Sequence, residues 1–468
     1  MSSYQLAVIG GGPGGYVAAI RAAQRGLNTC LIENEKLGGV CLNKGCIPTK
    51  TLIHSAYVLE LIRRAEGFGI TVEGEVYPEI EKLMARKQKV VDGLVKGVAA
   101  LLKSNRVDVM EGRASLAGAN NIIVKDKQGG EQTIEAEKVV IATGSRPAQL
   151  PSLPLDGESV ISSDGALEIK DIPGEMLIVG AGVIGCEMSC LFNSLGTKIT
   201  MVELLPRCVP LEDEEISRLM ERELKKKKIN LILEDSVKEV RKEGGRVTAI
   251  LDKGEPITTD KILVSVGRAF NVQDIGLEDL GVKLAERGHI QVNERMETSV
   301  PGIYAIGDVI GGYMLAHVAS AEGIVAADNA AGINRLINYK AVPGAVFTDP
   351  ENASVGLKEQ EALDNGYNVK IGRFPYRALG KAQVIGEISG MVKLVADEKT
   401  ERLLGAHIIG AHATDIIHEL VLALNKKATL SDIADTIHAH PTIPEAVMEA
   451  AHDAHGMAIH TPRPLKKG

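Results

Sequence analysis

Leu6-Ala7-Val8-Ile9-Gly10-Gly11-Gly12-Pro13-Gly14-Gly15 stands near the start of the chain, and Met176-Leu177-Ile178-Val179-Gly180-Ala181-Gly182-Val183-Ile184-Gly185 repeats its plan further on. In each copy an apolar, β-rich run enters G-x-G-x-x-G, a helical pattern follows, and a second apolar run ends in a carboxylate, Glu33 or Glu203. Each Glu stands 23 positions after the first glycine of its motif. The glycines allow a tight turn and let the backbone approach a pyrophosphate, which rests on a helix N-terminus where free N–H groups and the dipole favour an anion. The Glu can accept hydrogen bonds from an adenosine ribose. One G-x-G-x-x-G is a weak signal, because ordinary glycine turns meet it; two in strand–helix–strand context at equal spacing are strong. The expected dinucleotide contacts are Gly10, Gly12, Gly15 and Glu33 in one site and Gly180, Gly182, Gly185 and Glu203 in the other.

Two such sites in one chain imply a flavin site and a nicotinamide site. Glu203 favours NAD, because a carboxylate there repels a 2′-phosphate. Arg207, four residues on, keeps NADP as the less favoured alternative.

Between the copies lies Gly38-Gly39-Val40-Cys41-Leu42-Asn43-Lys44-Gly45-Cys46-Ile47-Pro48-Thr49-Lys50. A zinc site needs four ligands, and no other Cys or His stands nearby at C-x₂-C spacing. Two unrelated buried cysteines are the plainer alternative. On a regular helix an i, i+5 pair has Cα atoms about 8.7 Å apart, whereas a disulfide tolerates roughly 4.4–6.8 Å. A bond between Cys41 and Cys46 would therefore need a distorted backbone, which Gly45 and Pro48 permit. A distorted disulfide is also a reducible one. A flavin beside it could take both electrons and exchange a hydride with NAD⁺.

The bulk composition restricts the alternatives. The 468 residues suit roughly three domains, and 45% hydrophobic with 24% charged residues is the balance of a soluble globular chain. Aromatics are 3% and Trp is absent, so the cores must be built from Val, Ile, Leu and Ala. A net charge of −8 argues against a nucleic-acid binder or a polybasic membrane anchor. The basic run Lys225–Lys228 reads as a solvated helix end. No apolar stretch approaches the ~20 residues needed to span a bilayer, and a strand-like run already begins at Tyr4. The expected compartment is the cytoplasm, where a close Cys pair is catalytic or metal-binding more often than structural.

The stretch Gly38–Lys50 closely resembles the redox-active segment of the pyridine nucleotide–disulfide oxidoreductases, in the wording of their dihydrolipoyl-oxidising members. The resemblance covers nearly the whole chain. Ala142-Thr143-Gly144 resembles the return to the flavin domain, and Val264-Ser265-Val266-Gly267-Arg268 the exit from the NAD domain. Gly302-Ile303-Tyr304-Ala305-Ile306-Gly307-Asp308 is similar to the second flavin motif, and His438-Ala439-His440-Pro441-Thr442-Ile443-Pro444-Glu445 to the His–Glu catalytic segment. Phe270 and Pro444 depart from the usual residues without removing a functional group.

This resemblance implies that Cys41 attacks lipoyl sulfur and that Cys46 faces the flavin. It implies that Lys50 sits near the flavin, paired with Glu187, and that Asp308 binds the ribityl chain. Thr143, Gly144 and Gly267 would complete the cofactor contacts. His440 would act as base, oriented by Glu445, since histidine titrates near neutrality. Thr442-Ile443-Pro444-Glu445 also reads as a capping box for a helix over Ala446–Ala451. His438 would point elsewhere. His452-x-x-His455 has poor spacing for a metal, and Cys30, Cys186, Cys190 and Cys208 read as ordinary small side chains.

The expected fold is α/β, with two Rossmann-like dinucleotide-binding domains for FAD (1–147) and NAD (148–270). A central segment (271–340) completes the FAD site, and a C-terminal α+β dimerisation domain (341–468) follows. The implied reaction is oxidation of protein-bound dihydrolipoyl groups with NAD⁺ by a homodimer. The partners would be lipoyl domains of 2-oxoacid dehydrogenase acyltransferases or the lipoyl carrier protein of glycine cleavage. Two alternatives stand beside it: an NADP-linked reductase of the glutathione reductase type, against which Glu203 speaks, and a scaffold subunit that binds flavin without turnover. Mercuric-ion or large thioredoxin reductases would need a C-terminal Cys pair or selenocysteine, and His460–Gly468 contains neither.

Overall fold

Both glycine runs end strands, as their apolar sequences require. In the computed structural model, which describes residues 2–462, the strand Ser2–Ile9 runs parallel to Thr29–Glu33, with Leu6 opposite Thr29 and Ile9 opposite Ile32. Its other neighbour is Glu131–Ile141, also parallel. Leu6, Ala7, Val8 and Ile9 are all buried, which is why this central strand reads as a continuous apolar run rather than an alternating one. Asp108–Glu111 extends the sheet on one side, and the antiparallel strands Asn121–Lys125 and Arg113–Leu116 on the other. Ile303–Ala305 returns late in the chain to pair with Val139–Ile141.

Helix α1 (Pro13–Gln24) lies between the first two strands and buries Ala18, Ala19 and Ala22. Then come α2 (Gly39–Lys44), α3 (Cys46–Arg63) and α4 (Ile80–Ser104). The second copy repeats the arrangement. Glu175–Val179 runs parallel to Lys198–Val202, with α5 (Val183–Ser194) between them, in an all-parallel five-stranded sheet completed by Lys261–Val264, Val160–Ser162 and Asn230–Ile232. Helix α6 (Glu214–Lys226) follows, and α7 (Ala316–Ala330) comes after the return strand.

The last third of the chain forms a five-stranded antiparallel sheet in the order Gly344–Val346, Asn352–Gly356, Leu403–Ile409, Met391–Asp397, Val369–Pro375. Helices α8 (Ala413–Lys426) and α9 (Glu445–Ala454) pack on it through Ile417, Leu420, Val447 and Ala450. The cores are aliphatic, as the composition requires; Tyr376, Phe192 and Phe374 are the largest fully buried side chains. None of the described helices is long and apolar enough to cross a membrane. Of the C-terminal tail read for cysteines, residues 463–468 lie outside the described residues.

Lys225–Lys228 is the expected helix end, with Lys225, Lys226 and Lys228 exposed; Lys227 alone departs from it. Lys226 pairs with Glu223, but Lys227 reaches Asp349, beside the antiparallel sheet. The four other cysteines are all buried, Cys30 in a strand, Cys186 and Cys190 on α5 and Cys208 in a loop.

Candidate functional site

The backbone breaks at the cysteine pair. Gly45, at φ −141° and ψ −109°, separates α2 from α3, so Cys41 lies in one helix and Cys46 opens the next. The regular-helix spacing that would keep the pair apart does not apply. A Cβ on Gly45 would come within 3.1 Å of the Val40 carbonyl oxygen. Both cysteines are partly buried free thiols. A hydrogen bond from Cys41 brings the Cys46 thiol down to about 7, against the cost of burial and with help from Lys50. The same hydrogen bond and burial push Cys41 up. Cys46 also stands at the N-terminus of an 18-residue helix, where the dipole favours a thiolate. The two thiols are thus pushed in opposite directions, Cys46 toward the thiolate and Cys41 toward the thiol.

Lys50, one turn along α3, donates to both oxygens of Glu187 at 2.8 and 2.7 Å. Leu52, Ala56 and Leu59 of α3 share one core with Met188, Leu191 and Phe192 of α5, which brings the two helix starts together. Glu187 is 3% exposed and also accepts from the Phe347 N–H at 2.9 Å. The Phe347 ring lies 4.7 Å from the Lys50 ammonium, within cation–π reach. Phe347 was not foreseen from the sequence.

The two glycine turns match closely. Gly10 has φ +104° and Gly180 φ +99°, and a Cβ on Gly15 or Gly185 would lie 1.8 or 1.9 Å from the carbonyl oxygen of Gly10 or Gly180. Gly12 and Gly182 precede helices α1 and α5 without a side-chain cap. A Cβ on Gly12 would meet only Gly39 Cα at 4.0 Å, and one on Gly182 nothing within 4 Å. The helix N-termini therefore face open space with free N–H groups, which fits a pyrophosphate at each.

One cavity of ≈ 1760 Å³ joins the first turn to the thiols, more than the roughly 300–1,000 Å³ of a single small-ligand pocket. Gly10, Gly12, Gly15, Glu33, Thr143, Gly144, Asp308, Cys41, Cys46, Lys50 and Glu187 all line it. Val183, Ile184 and Met188 of the second copy border it, while Gly180, Gly182, Gly185, Glu203 and Gly267 lie beyond its lining.

Asp308 stands on a short 3₁₀ turn, Gly307–Ile310. Ser145 Oγ donates to its carboxylate, and Arg268 donates through Nε to Ser145 Oγ at 2.6 Å while lying 3.6 Å from Asp308. These contacts arise because Ser145–Pro147 and Arg268–Phe270 pair antiparallel, zipping the entry to and exit from the second parallel sheet. Thr143 Oγ1 donates to the Asn271 carbonyl at 2.7 Å. Ser145 and Asn271 were missed; Ser145 adjoins the Ala142–Gly144 motif, but only the strand pairing reveals its partners.

His440 Nδ1 lies 2.9 Å from Glu445 Oε1, and Glu445 Oε2 accepts from the Thr442 N–H at 2.7 Å. The carboxylate thus orients the ring and holds the helix entry at once. Burial pushes Glu445 up, but the Thr442 N–H and His440 outweigh it and hold the carboxyl below its usual range. The expected capping box is only half formed. Thr442 Oγ1 donates to the Ala439 carbonyl at 2.7 Å instead of capping, Pro444 holds the N-cap position, and α9 runs to Ala454 rather than Ala451. The His440 side chain is 76% exposed and does not line the cavity, so within one chain the structure does not bring it to Cys41. His438 is held by Thr436 and Glu419, and His455 by Glu401.

Two dinucleotide turns, a dithiol beside the first and an oriented His440–Glu445 pair at the start of α9 define a disulfide oxidoreductase that works with a pyridine nucleotide. The sequence matches the pyridine nucleotide-disulphide oxidoreductase family over residues 4–323 and that family's dimerisation domain over residues 342–451. It is 47% identical to a dihydrolipoyl dehydrogenase of Bacillus subtilis, covering 98% of this chain and 99% of that one. It is 45% identical to a dihydrolipoyl dehydrogenase of Thermus scotoductus at the same coverage. Among solved structures, LpdA from Mycobacterium tuberculosis superposes with a TM-score of 0.90 at 26% identity over 97% of this chain and 99% of that one. The HOCl-induced flavoprotein disulfide reductase RclA from Escherichia coli gives 0.86 at 28% identity, over 96% and 99%. The chain belongs to the pyridine nucleotide-disulphide oxidoreductases. It is an NAD-dependent flavoprotein oxidoreductase with FAD and NAD(H) as cofactors, and its dimerisation domain makes it a homodimer.

Proposed function

We propose that this chain oxidises protein-bound dihydrolipoyl groups through a Cys41–Cys46 disulfide and passes the electron pair to NAD⁺. The observation that carries this reading is the polarised thiol pair in the cavity shared with the first glycine turn and Lys50. The dihydrolipoyl dehydrogenases among the relatives support it.

In this reading His440 of the partner subunit removes a proton from the incoming dithiol. The lipoyl thiolate attacks Cys41 Sγ, the Cys41–Cys46 bond breaks, and Cys46 leaves as the thiolate. The second lipoyl sulfur, deprotonated in turn, attacks the mixed disulfide, closes the lipoyl disulfide and releases Cys41, which takes the proton. One dithiol has been oxidised and one disulfide reduced. Lys50, fixed by Glu187, holds positive charge beside the Cys46 thiolate. FAD, when bound, supplies the two-electron relay between this dithiol and NAD⁺. Gly10, Gly12, Gly15, Glu33, Thr143, Gly144 and Asp308 would hold it, and Gly180, Gly182, Gly185, Glu203 and Gly267 would hold NAD⁺.

The division into 1–147, 148–270, 271–340 and 341–468 belongs to the same reading. So do a cytoplasmic location and lipoyl domains of 2-oxoacid dehydrogenase acyltransferases, or the glycine-cleavage lipoyl carrier, as partners. Steady-state rates test it. Dihydrolipoamide with NAD⁺ should far outrun dihydrolipoamide with NADP⁺ and glutathione disulfide with NADPH; fast glutathione disulfide reduction would overturn it.

A further inference from the structure

Helix α7 meets α1 backbone to backbone. A Cβ on Gly323 would lie 2.5 Å from the Gly14 carbonyl oxygen, and one on Gly14 3.0 Å from that of Ala319. The helix carrying the first glycine turn and α7 are therefore fixed to each other without side chains between them. The residue before Gly323 is Glu322, only 4% exposed. Its Oε2 accepts from the Gly307 N–H at 2.7 Å and its Oε1 from the Tyr339 hydroxyl at 2.7 Å. Gly307 sits at φ +72°, at the point where the chain leaves the sheet after Ile303–Ala305 and turns into Asp308. The Gly307 N–H is partly buried, and Glu322 is its acceptor.

A carboxylate is a costly choice for that task, since burial pushes Glu322 up against the hydrogen bonds from Tyr339 and Gly307. An acceptor in that place does something specific, however. The Asp308 side chain is held from one side by Ser145 and Arg268, and the backbone of its turn is held from the other by Glu322. The glycine turn and the Asp308 turn are then both referred to α7, so their separation along the flavin site is fixed.

We propose that Glu322 is a positioning residue for the flavin site, accepting the Gly307 N–H so that Asp308 is set at a fixed place relative to the Gly10–Gly15 turn. This rests on the reading of Asp308 as a flavin contact.

The test is reconstitution of the full-length apoprotein with FAD, read by flavin fluorescence and by the visible absorption envelope. Glu322→Leu keeps bulk and removes both acceptors; the FAD dissociation constant should rise about tenfold or more, as for loss of hydrogen bonds to a charged group. Glu322→Gln should restore most of the affinity, because its Oε1 still accepts from Gly307 and its amide donates to Tyr339, whose hydroxyl can turn. Tyr339→Phe, which leaves the Gly307 contact, should cost less than Glu322→Leu. The apoprotein melting temperature separates this from general destabilisation: the loss should fall mainly on the FAD-dependent increment. Should Glu322→Leu not fold, Glu322→Met takes its place.

A Leu or Met variant with unchanged FAD affinity and absorption envelope overturns the proposal, as does a Gln variant as weak as the Leu variant. Asp308→Ala distinguishes the two layers. If it weakens FAD while Glu322→Leu does not, the positioning role alone is refuted; if it leaves FAD binding unchanged, the reading of Asp308 fails and the proposal with it.

Discussion

Glu33 and Glu203 make the same two backbone hydrogen bonds in the two halves of the repeat. Glu33 accepts from Gly11 at 2.6 Å and Glu35 at 2.7 Å, and Glu203 from Ala181 at 2.6 Å and Leu205 at 2.9 Å. Each carboxylate closes its own glycine turn by bonding the N–H just after the first motif glycine. The residue that the sequence reads as a ribose acceptor is thus seen to shape the glycine turn.

For NAD⁺ this has a measurable consequence. Glu203→Ala removes a charged acceptor and two backbone supports together, and should weaken NAD⁺ binding by about 1–3 kcal/mol. NADP⁺ should suffer less, because losing the carboxylate also relieves repulsion of its 2′-phosphate. Titration with both nucleotides checks this. An equal loss for both would show that Glu203 acts only through the turn.

The thiol pair gives a prediction with a pH axis. After two-electron reduction, the Cys46 thiolate beside oxidised flavin should give a long-wavelength absorbance band. Its intensity should grow as pH rises through about 7, because a lowered thiol is ionised above that value and protonated below it. Cys46→Ser should abolish the band, and Cys41→Ser should show it without reductant. A band that survives Cys46→Ser would exchange the roles of the two cysteines.

The legible parts of this molecule were those carried by local order in the chain. Each glycine turn, its strand and its Glu lie within about one strand–helix–strand unit, so spacing alone exposes them. The break at Gly45 is the kind of backbone distortion that a bonded i, i+5 pair would need, which the sequence permits at Gly45 and Pro48. Ser145, Phe347 and Glu322 were invisible because their partners are distant in sequence and follow no period. Lys227 read as solvated for the same reason: Asp349 is brought to it by the packing of two sheets. The capping box at Thr442 failed for a local cause, since Pro444 takes the N-cap position and turns the Thr442 hydroxyl toward Ala439.

The junction between the second parallel sheet and the antiparallel sheet is held by a buried ion pair. Lys393 donates to both oxygens of Asp213 at 2.8 and 3.0 Å, and both side chains are 3% exposed. Burial raises Asp213, but Lys393 and its other partners more than offset this and hold it below its usual range. Lys393→Met strands a buried carboxylate and should cost about 3–5 kcal/mol in denaturant unfolding. A carboxyl depressed in the folded state contributes stability above its unfolded value and loses it as pH falls through the folded one. The gap between wild type and variant should therefore shrink below about pH 4; a gap independent of pH would assign the loss to packing.

The exposure of His440 sets the last prediction. His440 and Glu445 form an oriented pair, yet the ring is 76% exposed and outside the cavity that holds Cys41 and Cys46. A base needs hydrogen-bond reach of the thiol it deprotonates, so on the proposed reading His440 serves the thiols of a second copy of the chain. A two-fold interface is isologous, and each chain would lend its His440 to its partner. Cys41→Ser and His440→Ala homodimers should each be nearly inactive. Unfolded and reassembled together, the mixed dimers would hold one site with both lesions and one intact site. Random pairing should then restore roughly a quarter of wild-type sites. If His440 acted within its own chain, every site would carry a lesion. No recovery in a mixture where mixed dimers are shown to form would refute the shared site.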